Sequence, residues 1–118
     1  MTREDFTKVV AEVMDSLPQE FRERIRNVAV LVEDVPPDQE PLQPGKPSVL
    51  RLGLFHGVPM THKSFFQMPG GPDYVVLYQK NIERVSRNEA EVRRQIRQTV
   101  IHEFGHYFGM TEEQLKDV

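Results

Sequence analysis

From Asn88 to Gly109 the chain carries one uninterrupted helical pattern, and the rest must be arranged around it. Val92, Ile96, Val100, Phe104 and Tyr107 recur at three- and four-residue steps, which predicts one apolar face on a helix running from Glu89 to about Phe108. Asn88 is a good N-cap for it. Beside that face, at the C-terminal end, stand His102, Glu103 and His106. Two histidines four apart lie about 40° from each other at about 100° per residue, so both imidazoles reach one metal ion from the same side. Glu103 sits at the boundary of that face, where a carboxylate touches a metal-bound water without being a ligand. Gly109 follows where the helix can stop, because glycine accepts the left-handed conformation that turns the chain back. Three residues on, Glu112 offers a carboxylate as third ligand, with Glu113 and Asp117 as alternatives for that position. Such a helix anchors one side in a core while the neighbouring side looks into a cleft.

The stretch reads His102-Glu103-Phe104-Gly105-His106-Tyr107-Phe108-Gly109-Met110-Thr111-Glu112. H-E-x-x-H alone is only suggestive; adding the glycine and the acid at their spacings lowers the chance of accident to on the order of 0.0001. The run resembles the H-E-x-x-H-x-x-G-x-x-(H/D/E) motif of zincin metallopeptidases, with an acid where metzincins carry their third histidine. The rest of the chain resembles the small bacterial zincin-like metallopeptidases of minimal zincin fold. The matching features are Leu17 to Phe21, Leu52 to Pro59, Tyr74 to Tyr78, and Thr99-Val100-Ile101 running into the motif. That resemblance implies an α+β domain in which a small mixed sheet packs against an N-terminal helix and the C-terminal motif-bearing helix. It also implies one Zn2+ per chain held by His102, His106 and Glu112, and a peptidase activity with Glu103 as general base.

Composition narrows the remaining classes. Cysteine is absent, so any metal is held by histidine and carboxylate. A length of 118 residues predicts one domain, 1–118, because a second core would not fit. Net charge is -3, with 15 basic residues scattered among 18 acidic ones, so a nucleic-acid footprint is not expected. The densest basic cluster, Arg93, Arg94 and Arg97, reads as a solvated helix face alternating with Glu89 and Glu91. Met1 to Phe6 has no signal-peptide pattern and no stretch reaches the length of a membrane span, so a cytoplasmic protein without a membrane partner is expected. The expected partner is a peptide or protein substrate.

Upstream, Thr2 is placed to cap a first helix whose Phe6, Val9, Val10, Val13, Met14 and Leu17 form one stripe. Pro18 suits the first turn of a second, short helix carrying Phe21 and Ile25. Val28 to Val32 predicts a strand buried on both faces. The proline-rich Pro36 to Pro47 predicts an irregular surface loop, Leu50 to Leu54 a second strand, Met60 to Pro72 another loop, and Tyr74 to Tyr78 a third strand. Thr111 is placed to cap a last short helix through Leu115.

An oxyanion needs a donor besides the metal. Tyr74, Tyr78, His56 and His62 are the candidates, against plainer roles as packed strand tyrosines and exposed loop histidines. Strand 74–78 is expected to line the cleft and pair with an extended substrate. Two other functions compete. Metal-dependent endoribonucleases of ribosome maturation share the H-x-x-x-H-x-x-G-x-x-H spacing, but Glu103 and the acid at position 112 favour peptide hydrolysis. A non-catalytic zinc-binding interaction or regulatory module would use the same ligands with a closed site.

Overall fold

The longest element, α4 (Glu89–Tyr107), is the helix expected from the apolar spacing. In the computed structural model, which describes residues 1–26, 28–41, 44–45, 49–57 and 73–109, it starts at Asn88. The Asn88 Oδ1 accepts from the Glu91 amide at 2.9 Å, satisfying an amide that has no partner within the first turn. Its expected core face is buried: Ile96, Val100 and Phe104 are fully inaccessible, and Val92 and Tyr107 nearly so. Gly109 has φ +75°, so the helix ends through a left-handed glycine, where an L side chain would be strained.

α1 (Arg3–Asp15) packs along α4. Thr2 Oγ1 accepts from the Asp5 amide at 3.0 Å, and Glu4 and Asp5 complement the positive end of the helix. Its stripe of Phe6, Val9, Val10 and Val13 enters the same core cluster as Ile96 and Phe104. The arginines expected to be merely solvated also tie the two helices. Arg93 reaches Glu12 at 2.7 Å, and Arg97 Nη1 donates to the Ser16 carbonyl at 3.4 Å. α2 (Gln19–Arg24) starts after Pro18, which stands at the N-cap, and buries Phe21.

Three strands form one mixed sheet, β1 (Ala29–Glu33), β2 (Gly53–His56) and β3 (Tyr74–Tyr78), in the order β1-β3-β2. β1 runs parallel to β3 with Leu31 opposite Val76, and β2 runs antiparallel with Phe55 opposite Val75. Two expectations change here. Among the described residues β1 is an edge strand whose residues alternate between exposed and half-buried, because its Val30 and Val32 face the helices. β2 begins three residues later than the expected Leu50, and residues 50–52 form its approach.

The sequence pattern gives no sign of α3 (Gln79–Arg84), which follows β3 without a loop. Its composition has one apolar residue, Ile82, so no periodicity announces it. It holds by polar burial instead. Asn81, 1 % exposed, donates from Nδ2 to the Arg51 carbonyl at 2.9 Å and to Gln39 Oε1 at 2.6 Å. Gln79 accepts from Arg3 Nε at 2.8 Å and donates to the Met1 carbonyl at 3.0 Å. The segment entering β2 is thereby held by α3. The loop holding His62 and the expected last helix lie outside the described residues.

Candidate metal centre

The last two turns of α4 carry His102 and His106 on its exposed side, with Glu103 half-buried between them and the sheet. Their exposure follows from the wheel, since Ile101, Phe104 and Gly105 take the inward positions. The imidazole Nδ1 of His102 lies 3.0 Å from the Gln98 carbonyl. A carbonyl oxygen only accepts, so Nδ1 carries the proton and Nε2 presents the lone pair a metal would use. The two rings are perpendicular, with centroids 6.3 Å apart. Two imidazoles on one tetrahedral ion would stand roughly 5 Å apart with a metal-nitrogen bond of about 2.0 Å. A side-chain rotation of each ring closes the difference, so the pair fits a metal of this kind. Among the described residues no group of three ligating side chains converges, and Glu112, Glu113 and Asp117 lie outside them.

Glu103 has a different partner. Its Oε2 accepts from the Phe55 backbone amide at 3.1 Å. The strand register explains why that amide is available. Tyr78 N donates to the Leu52 carbonyl at 2.9 Å, so in this antiparallel ladder the 54–76 and 56–74 pairs face each other through hydrogen bonds. Gly53 and Phe55 then direct their backbone groups away from β3, toward the outer edge. Among the described residues no strand pairs with that edge.

Gly53 allows the close approach of β2 and α4. A Cβ there would lie 2.6 Å from Thr99 Cγ2 and 3.0 Å from the Val76 carbonyl oxygen. The Phe55 ring completes the seam, 4.4 Å from the Tyr107 ring and 5.8 Å from that of Phe104. Tyr107, expected in the core, is buried and donates its hydroxyl to Asp73 Oδ2 at 2.9 Å, which ties the turn after His106 to the start of β3.

Three oxyanion candidates do not share this side of the sheet. Val75, Leu77 and Phe55 face the helices, so by alternation Tyr74, Tyr78 and His56 project from the opposite face. His56 and Tyr74 stack there at 4.7 Å. Burial raises the Tyr78 phenol above its ordinary range, only partly offset by the nearby Arg51 guanidinium. Strand 74–78 is also the central strand, with both backbone edges used, so it has no edge left for a substrate. The outer edge of β2 is the one beside Glu103. An isolated glycine inside the Leu52-Gly53-Leu54-Phe55 run was the signal that backbone and helix meet closely here.

An open groove of about 340 Å³ runs from this point along α4, lined by Arg51, Leu52, Gly53, Gln95, Gln98 and Thr99 and reaching His102 and Glu103.

Residues 25–118 match a family described as zincin-like metallopeptidase. A solved structure of a conserved hypothetical protein from Thermus thermophilus is similar, with a TM-score of 0.59 and 25% identity. The match covers 92% of this chain and 94% of that one. No curated protein matches the chain.

Proposed function

The chain belongs to the zincin-like metallopeptidase family, and on that premise we propose that it is a zinc-dependent peptidase. His102, His106 and Glu112 would hold one Zn2+, which when bound would supply Lewis acidity toward a peptide carbonyl and lower the pKa of a water toward neutrality. Glu103 accepts the proton of the attacking water and passes it to the leaving amine. Its anchor on the Phe55 amide leaves one carboxylate oxygen for the reaction and holds the other on β2. An extended peptide adds to the outer edge of β2 through the outward-directed amide and carbonyl of Gly53 and the carbonyl of Phe55, whose amide is taken by Glu103, and this sets the scissile bond beside Glu103. The substrate is a peptide or protein encountered in the cytoplasm. Among the described residues no helix is long and apolar enough to cross a membrane.

The observation that carries the proposal is the Glu103 contact. A carboxylate lying between two histidines of one helix face is turned onto a strand edge instead of joining them. The test is metal content by mass spectrometry after stripping and re-equilibration with zinc, followed by a peptide-library digest. About one zinc per chain with cleavage is expected, and Glu103→Gln keeps the zinc while lowering turnover about 10²–10⁴-fold. Zinc bound tightly with no cleavage of any peptide would point to the non-catalytic zinc module instead.

A further inference from the structure

Gln95, Gln98, His102 and His106 follow one another at three- and four-residue steps, and Thr99 lies four residues after Gln95 and three before His102, so one face of α4 carries the groove wall and then the metal site. The opposite wall is the approach to β2, with Arg51 and Leu52. Groove and site are therefore one continuous channel. Gln95 to Glu103 is eight residues, about 12 Å along a helix, the span of three to four residues of extended peptide.

The chemistry of the two ends differs. At one end stand the histidines and Glu103. Along the other the walls offer two amide side chains, a hydroxyl and the Arg51 guanidinium, and Glu103, anchored on Phe55, is the only acid lining the groove among the described residues. Arg51 is exposed and, like Arg22, Arg26, Arg84, Arg87 and Arg97, forms no ion pair among the described residues; what sets it apart is its place in the groove wall. Its backbone is nevertheless fixed, because the buried Asn81 donates to its carbonyl at 2.9 Å. A guanidinium on a fixed backbone, in a groove whose walls also carry two amide side chains, suits a planar carboxylate held by two of its five N–H groups.

We propose that Arg51, with Gln95 and Gln98, forms a carboxylate subsite that selects peptides bearing an acidic side chain or a free C-terminal carboxylate three to four residues from the cleaved bond. The proposal rests on the peptidase reading for its cleavage position, but not for its binding.

The test is fluorescence anisotropy of labelled neutral octapeptides bound to the zinc-equilibrated full-length chain. One Glu is walked along the peptide, each is paired with its Gln counterpart, and C-termini are free or amidated. A Glu103→Gln background prevents turnover. The Glu peptide at the matching position is expected to bind at least about 10-fold tighter than its Gln counterpart, as a charge-assisted hydrogen bond provides. Arg51→Ala brings the two to parity, and Arg51→Glu reverses the preference toward a Lys peptide. Unchanged melting of both variants shows the fold intact. If amidation alone abolishes the preference, the ligand is the C-terminus; if it has no effect, the ligand is the side chain. Equal binding of acidic and neutral peptides, no measurable binding of any acidic peptide, or an acid preference that survives Arg51→Glu overturns the subsite. Arg51-dependent acid binding without cleavage by wild type would refute the peptidase and leave the subsite standing. Cleavage of acidic and neutral peptides at equal rates would do the reverse.

Discussion

The packing of β2 on α4 is tested by Gly53→Ala. The added Cβ would sit 2.6 Å from Thr99 Cγ2, well inside ordinary contact, and 3.0 Å from the Val76 carbonyl oxygen, a tight approach. Neither neighbour yields cheaply. Thr99 is β-branched on a helix and stiff at χ1, and Val76 lies in the central strand, paired on both sides. Overpacking of this kind costs about 1–3 kcal/mol. The alanine returns about 0.4–1 kcal/mol by restricting the unfolded chain, so a net loss of about 1–2 kcal/mol is expected. For a chain of this size that lowers Tm by about 4–8 °C in a calorimetric scan. Because Phe55 lies two residues further along the strand, the shift also moves the amide that anchors Glu103, and under the proposed function peptide turnover falls with it. The cause is isolated by a double-mutant cycle with Thr99→Ser, which removes Cγ2 and keeps the hydroxyl. Gly53→Ala should cost less by about 1 kcal/mol in that background. A Tm for Gly53→Ala within about 1 °C of wild type, or equal costs in both backgrounds, would refute the close approach of strand and helix.

Other outcomes follow from single contacts. Tyr107→Phe removes the donor to Asp73 Oδ2 and should lower stability by about 1 kcal/mol in urea titration, with zinc affinity weakened because the turn after His106 loosens; unchanged values for both would mean the hydroxyl contact is idle. Tyr78 has a folded-state pKa raised by burial above its ordinary 10.0, so the folded chain keeps a proton that the unfolded chain releases. Stability is then fully present below about pH 10 and is lost as pH rises toward the folded pKa. Tyr78→Phe should flatten that alkaline decline in melts from pH 8 to 11, and an identical decline in both proteins would exclude Tyr78 as its source.

The helices α1 and α4, the cap residues Thr2 and Asn88, the left-handed Gly109 and the side-by-side exposure of His102 and His106 were legible because each depends on residues within a few positions of one another. Spacing along one helix is a local property, and a 3.6-residue period reports which side chains share a face before any second element is present. The edge position of β1, the later start of β2 and the central place of β3 were not legible. A short apolar strand reads alike in the middle of a sheet or at its edge, since order and register depend on pairing between segments far apart in the chain. α3 escaped for a related reason, being held by buried Asn81 and Gln79 and their distant partners. The candidate site divides along the same line. The His102-Glu103-His106 pattern was written in the helix itself, whereas the Phe55 amide under Glu103 and the groove between Arg51 and Gln95 came from the docking of β2 on α4, which only tertiary contacts decide.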